Sequence, residues 1–309
     1  MVRTPLVPST PLSRAVGVPV SLKLETVQPT GSFKVRGATS KLLALDAAAA
    51  RRGVVTASTG NHGRAVAHVA GEHGIAATVC VSEQVPAGKL AALEALGCDV
   101  IVGGGSQADA LVTAARLVDD RGMTLVHPFD DAAVIAGQGT IGLELLEQDP
   151  DLHTVLVPLS GGGLFAGVAL AIKASHPHVR LVGVSMERAP VMARSLGAGR
   201  PVDMPEQPTL ADSLQGGIGG DANRHTFALV REHLDEVVLL TEVQIWAGMR
   251  FALDQHRLVL EGGGAVGIAA LLAGALEVTG PVSVICSGAN AEAHHIEAMA
   301  RGDVPPDGR

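Results

Sequence analysis

Three segments carry residue types whose spacing could do chemistry. In Val157-Pro158-Leu159-Ser160-Gly161-Gly162-Gly163-Leu164-Phe165-Ala166-Gly167 an apolar run passes into three glycines and then a helical pattern. Glycines let a backbone approach an anion closely, and a helix start offers free N–H groups and a positive dipole end. A phosphate is the natural ligand; a tight turn with close helix packing is the bland alternative. No Lys-Ser/Thr follows the glycines, and no acidic residue is placed to hold a ribose. This excludes a nucleotide P-loop and a dinucleotide fingerprint, so the phosphate belongs to something smaller. In Thr56-Ala57-Ser58-Thr59-Gly60-Asn61-His62-Gly63 a strand again opens into a helix. Its hydroxyls, amide and backbone N–H groups suit a carboxylate or, equally, a helix N-cap.

The third segment is Gln28-Pro29-Thr30-Gly31-Ser32-Phe33-Lys34-Val35-Arg36-Gly37. The chain has five lysines: Lys23, Lys34, Lys41, Lys89 and Lys173. Lys23 alternates with apolar neighbours in a strand, Lys41 and Lys173 ride helices and Lys89 falls near a helix start, all with a bland solvent-facing reading, whereas Lys34 stands just after a strand and at a helix start. There it is partly desolvated and close to a positive helix end, which favours the neutral amine that Schiff-base chemistry needs. A small phosphate cofactor together with an activated lysine suggests pyridoxal 5′-phosphate.

These segments need elements to hold them. Strands are expected at Val20–Glu25, Gly53–Ala57, Ala77–Val81, Asp99–Val102, Leu125–Pro128, Val155–Leu159, Leu181–Val184, Val237–Leu240 and Val282–Cys286. Helical patterns alternate with them, among them Lys34–Ala44, Gly63–His73, Ser106–Asp120, Ala132–Glu147, Leu164–Ser175, Val243–His256 and Ala265–Ala275. The alternation predicts an α/β fold with parallel sheet covered on both faces, and ligands at the carboxyl ends of strands. Two weaker clusters, Glu261-Gly262-Gly263-Gly264-Ala265 and Cys286-Ser287-Gly288-Ala289-Asn290, fall at such places. The tail Pro305–Arg309 is expected to fray.

Composition narrows the class. Of 309 residues 38 are glycine, above the average usage of about 7%. Hydrophobic residues make up 47% and charged residues 17%, which suits a core-forming chain. Aromatics are only 2% and the formal net charge is −8, which argues against nucleic-acid partners. From Thr154 to Ile172 no residue is charged, but Pro158 and the glycines interrupt the run, so no membrane span is expected. Cys80, Cys98 and Cys286 form no CxxC pair and read as reduced thiols of a cytosolic protein. His294 and His295 point to different sides of a helix and read as surface residues rather than a metal pair.

The segment Ser32-Phe33-Lys34-Val35-Arg36-Gly37-Ala38 closely resembles the cofactor-lysine motif of the serine/threonine dehydratases. These are fold-type II (tryptophan synthase β-like) pyridoxal-phosphate enzymes. Ser58–Gly63 resembles their Ser-x-Gly-Asn-His loop, and Ser160–Leu164 their phosphate cup. Ala136–Thr140, Glu261–Ala265 and Ser287–Asn290 match further blocks in order. The resemblance implies two open twisted, mostly parallel sheets, each flanked by helices, with a large domain at 1–51 and 131–309 and a small inserted domain at 52–130. It implies α,β-elimination of a β-hydroxy amino acid such as threonine or serine to a 2-oxo acid and ammonia. The alternatives are a serine-type racemase and a β-replacement transferase of the cysteine-synthase type.

Carried over by position, Lys34 would bind the cofactor and take the α proton, and Phe33 would pack beside its ring. Asn61 would bond the 3′-oxygen, and the amides of Gly161, Gly162, Gly163 and Leu164 would hold the phosphate. Ser287 would bond the ring nitrogen, and Glu261 would lie near substrate or cofactor. Ser58, Thr59, Asn61 and His62 would line the substrate carboxylate site. Arg116 aligns with an arginine near the substrate mouth. Thr59 stands where racemising relatives place the serine of the opposite face, as a second catalytic candidate. Ser160 replaces a glycine of the cup, and Ser185 replaces an acidic residue that often binds a divalent cation, so no metal is expected. Ser160–Phe165 and Gly183–Arg188 look most like the hydroxyectoine-utilisation dehydratases. The resemblance also implies a cytoplasmic homodimer with a small-molecule amino-acid substrate.

Overall fold

Short apolar runs form the strands, and alanine-rich amphipathic stretches form the helices between them. The structure, a computed structural model, describes residues 1–85, 87–220 and 223–303. The tail expected to fray at 305–309 lies outside the described residues. Among the described residues ten strands form: β1 (Leu6–Pro8), β2 (Val20–Leu24), β3 (Val54–Ala57), β4 (Ala77–Val81), β5 (Asp99–Val102), β6 (Thr124–Leu125), β7 (Thr154–Pro158), β8 (Arg180–Met186), β9 (Glu236–Leu240) and β10 (Val282–Cys286).

The chain divides into two compact units, Met1 with Lys34–Gly137, and Val2–Phe33 with Gln138–Arg309. The first holds a four-stranded sheet in the order β5-β4-β3-β6, parallel throughout. The second holds a six-stranded sheet in the order β1-β2-β10-β7-β8-β9, parallel except for β1. Residues 52–130 lie inside the first unit, which also takes in the helices Lys34–Leu43 and Ala47–Arg52.

Strands β3, β4, β7 and β10 are buried at every position, as sheets covered on both faces require. Strand β1 has no alternating pattern to announce it. It forms because Leu6–Pro8 pairs antiparallel with Lys23–Ser21 at the sheet edge, where a proline is tolerated.

A buried polar network ties this edge down. Lys23 is fully buried, and its ammonium donates to the Thr4 carbonyl at 2.8 Å, to Glu144 Oε2 at 2.5 Å and to Gln148 Oε1 at 2.7 Å. The Gln28 amide meets both backbone groups of Val2, accepting its N–H at 3.0 Å and donating to its carbonyl at 2.9 Å. Buried charges are tolerated only when paired in this way.

His295 corrects the surface reading: it is buried, with its ring 6.3 Å from that of Trp246. His294 is exposed.

Candidate active site

In the six-stranded sheet β2, β10 and β7 are parallel neighbours, so their carboxyl ends share one edge. The register sets Leu24 beside Cys286, and the residues that follow build outward from there. After β7 comes the Ser160–Gly163 loop, leading into the helix Gly163–Lys173. Gly162 sits at φ +87°, a left-handed conformation that glycine adopts without strain. A Cβ there would fall 2.9 Å from Met192 Cε and from Val230 Cγ2. No side chain caps this helix. Its first N–H groups are therefore left to water or to an anion, beside the positive end of the dipole. Gly161, Gly162, Gly163 and Leu164 are all buried. The cradle fits a phosphate.

After β10, Ser287 is buried, and its hydroxyl donates to the Gly263 carbonyl at 3.5 Å. The segment Thr30–Phe33 is laced to the residues that follow β10. Phe33 N–H donates to the Ser287 carbonyl at 3.0 Å, Ala289 N–H to the Gly31 carbonyl at 2.9 Å, and Asn290 Nδ2 to the Thr30 carbonyl at 3.0 Å. Glu261 is buried at the N-cap of the helix Gly262–Leu272, and its N–H donates to the Gly288 carbonyl at 3.2 Å. Its carboxylate lies against Gly288, where a Cβ would come within 2.5 Å of Oε1. Half-buried Phe33 and buried Ser287 and Glu261 thus gather at this sheet edge with the Gly161–Gly163 loop.

In the other unit, β3 runs into Ser58, Thr59 and Gly60, and Asn61 opens the helix Asn61–Glu72. Ser58, Thr59 and Asn61 are half-buried, and no side chain caps the helix. His62 is buried; its Nε2 lies 2.9 Å from the Val126 carbonyl, so the ring proton sits there. Nδ1 is left buried without a hydrogen-bond partner among the described residues. Burial, helped by the charge of Lys34, drops the His62 pKa to about 3. The ring stays neutral.

Lys34, the first residue of the helix Lys34–Leu43, donates from Nζ to the Pro128 carbonyl at 2.7 Å. This partner was not legible in the sequence, which suggested a strand through Leu125–Pro128. The strand β6 ends at Leu125 instead, and His127–Asp130 make a turn before the helix Ala132–Gln148. The missed signal is Asp131 immediately before an apolar helical run. Its Oδ1 caps that helix, accepting from Ala133 N–H at 2.8 Å and Val134 N–H at 3.2 Å. Burial raises the Asp131 pKa, but the Lys41 ammonium 2.5 Å away and the two capping N–H groups outweigh it and hold the carboxyl below its ordinary value. Arg116 is exposed on the helix Gln107–Arg121.

Ser185 is buried in β8, 3.5 Å from Met186 Sδ. Among the described residues no three His, Cys, Asp or Glu side chains are grouped to hold a metal ion. No helix among them is long and apolar enough to cross a membrane.

Residues 1–288 match the family described as pyridoxal-phosphate dependent enzyme. The chain belongs to that family. Its cofactor is pyridoxal phosphate, which the Gly161–Leu164 cradle fits. A protein of Sinorhizobium fredii provisionally named a threonine dehydratase is 51% identical over 93% of this chain and 87% of its own length. An L-threonine ammonia-lyase of Thermotoga maritima is 42% identical over 99% of this chain and 76% of its own. Among solved structures, the processed threonine deaminase isoform 2 of Solanum lycopersicum superposes with a TM-score of 0.91 at 34% identity, covering 97% of this chain and 88% of that one. Maize serine racemase superposes with a TM-score of 0.90, also at 34% identity, covering 97% and 92%.

Proposed function

We propose that the chain is a pyridoxal-phosphate-dependent ammonia-lyase that dehydrates and deaminates a β-hydroxy-α-amino acid, threonine or serine, to a 2-oxo acid and ammonia. The observation that carries this reading is the 42% identity to an L-threonine ammonia-lyase over 99% of the chain. The buried, uncapped glycine cradle and the half-buried Lys34 amine supply the groups it needs.

When bound, pyridoxal phosphate supplies an electron-poor ring that stabilises negative charge on the substrate's α carbon. The chain does the rest. The Gly161–Leu164 amides would hold the phosphate, Ser287 would bond the ring nitrogen, Asn61 would bond the 3′-oxygen, and Phe33 would pack beside the ring. Ser58, Thr59, Asn61 and His62 receive the substrate carboxylate, Glu261 lies near the reacting groups, and Arg116 faces incoming substrate. Lys34 would carry the cofactor and take the α proton, with hydroxide leaving the β carbon. Together they amount to one water lost. The enamine released then takes up water and gives the oxo acid and ammonia. A neutral hydroxyl at Ser287 does not hold the ring nitrogen protonated as a carboxylate would. That weakens charge delocalisation into the ring and favours prompt loss of the β group.

Ser160–Phe165 and Gly183–Arg188 add a hydroxyectoine-derived hydroxy amino acid to the candidate substrates. In this reading residues 52–130 act as a small inserted domain, and the protein works as a cytoplasmic homodimer. A panel of hydroxy amino acids read out as ammonia and 2-oxo acid tests the proposal; release from none of them would overturn it. The serine racemases among the relatives, one 36% identical over 94% of this chain, favour a second activity with Thr59 serving the opposite face. Chiral analysis of amino acid recovered from a partial reaction decides it, an unchanged enantiomer excluding racemisation.

A further inference from the structure

His127 lies outside the glycine and lysine motifs, yet its ring makes close contacts with its own chain. His127 follows Val126, which is locked to the sheet: Val126 N–H donates to the Val55 carbonyl at 2.9 Å, and its own carbonyl accepts from Thr56 Oγ1 at 3.0 Å. The ring of His127 turns back on its own chain. Its Nδ1 accepts from Phe129 N–H at 3.2 Å and from Asp130 N–H at 2.8 Å. The ring also packs edge-on against Phe129, with centroids 4.6 Å apart. Between these two anchors stands Pro128, whose carbonyl takes the Lys34 amine at 2.7 Å. The far end of the turn is fixed by Asp131 as helix cap.

An Nδ1 that accepts two N–H groups carries no proton, so the ring is neutral with any hydrogen on Nε2. Burial favours that state by lowering the His127 pKa, and Lys34 adds to this against the opposing pull of Asp130 and Asp131. Backbone groups at a turn with no regular partner need such a side-chain acceptor to stay in one conformation.

We propose that His127 is a positioning residue for Lys34: by holding the turn at Pro128–Asp130 it fixes the carbonyl that orients the lysine amine. This rests on the reading of Lys34 as the acting amine. A side chain of four rotatable bonds reaches many places, and attachment of cofactor and removal of a proton both need it in one. The Pro128 carbonyl supplies that direction only while the turn is held.

The test compares His127→Leu, which deletes the acceptor, with His127→Asn, whose amide oxygen can accept from the N–H two residues on. Cofactor-free protein is mixed with pyridoxal 5′-phosphate, trapped at short times with borohydride, and Lys34 labelling is read by peptide mass. In His127→Leu labelling slows about tenfold or more and kcat falls by a similar factor, while KM stays within about twofold. His127→Asn recovers most of both. Wild-type labelling in His127→Leu, or labelling in His127→Asn as slow as in His127→Leu, would overturn the proposal. Should His127→Leu fail to fold, His127→Phe, which keeps a ring but no acceptor, takes its place under the same criteria. If wild-type protein labels at Lys34 yet releases no oxo acid, the reaction reading fails, and the labelling comparison still decides the role of His127.

Discussion

Gly63 has no room for a side chain because of Ser58: a Cβ at Gly63 would fall 2.0 Å from the Ser58 carbonyl oxygen. The first turn of the helix Asn61–Glu72 is thereby pressed against the end of β3. Backbone atoms cannot yield as a flexible side chain can. Gly63→Ala should destabilise the protein by about 3 kcal/mol, at the upper end of overpacking costs. Because the change moves Ser58–Asn61, KM for the amino acid should also rise, by roughly tenfold. Chemical denaturation and steady-state kinetics check the two parts separately. An alanine variant with wild-type stability would show that the turn can open at little cost.

Lys34→Ala removes the amine and one hydrogen bond to the Pro128 carbonyl. Turnover should vanish, while stability changes by only about 1 kcal/mol, the worth of one half-buried hydrogen bond. Circular dichroism melts and an oxo-acid assay settle it. Retained wild-type production of oxo acid would sink the proposed role.

Ser287→Asp places a carboxylate where a buried hydroxyl now faces the Gly263 carbonyl. Two acceptors then oppose each other, which should cost about 1–3 kcal/mol of stability. With cofactor bound, elimination should slow and transamination-type side products should increase. Product ratios by chromatography are the measurement, and unchanged ratios would count against the reading of the ring nitrogen.

The pH dependence of stability should carry the mark of His62. Its folded-state pKa lies at about 3, below the ordinary histidine value of 6.5. On acidification the unfolded chain takes up this proton first, so the contribution is complete above the unfolded pKa and is lost as pH falls towards the folded one. Over the first one and a half pH units below the unfolded value the loss amounts to about 2 kcal/mol. His62→Gln should flatten the stability curve over that interval. Melts from neutral to acid pH compare the two slopes, and equal slopes would mean that the ring protonates in the folded protein.

Lys23→Met leaves Glu144 and the Thr4 carbonyl facing a thioether in a buried site. Removal of one partner of a buried ion pair typically costs about 3–5 kcal/mol. Amide exchange should quicken first at Val2–Leu6. Unaltered exchange at those residues would show that Gln28 and Thr4 hold the segment without the lysine.

Much of this was legible in the sequence, for a physical reason. Parallel strands buried on both faces read as unbroken apolar runs, so Ala77–Val81 and Val282–Cys286 stand where the pattern put them. Glycine loops such as Gly161–Gly163 stand out because few other residues fit them. Edge strand β1 and the His127–Asp130 turn did not announce themselves. The first is set by pairing with the Lys23–Ser21 strand, and the second by side-chain acceptors within it, the His127 ring and the Asp131 cap. The apolar Val126 before the turn made it look like a longer strand, and a proline-containing turn stabilised by a histidine ring has no periodicity to read. The buried network around Lys23 was hidden for the same reason: a lysine alternating with apolar neighbours looks solvent-facing until Glu144 and Gln148 come to meet it.

Strand β2 lies between β1 and β10, with Val20 beside Val282 and Leu24 beside Cys286. During synthesis the first two strands therefore leave the ribosome with an unpaired edge. That edge has to wait for some of the last residues made. The four-stranded sheet needs only the stretch from Val54 to Leu125 and can close while the rest is still being translated. A long-range pairing of this kind folds slowly and leaves an aggregation-prone edge in the meantime. Stalled or truncated nascent chains lacking β10 should thus be the ones that chaperones retain.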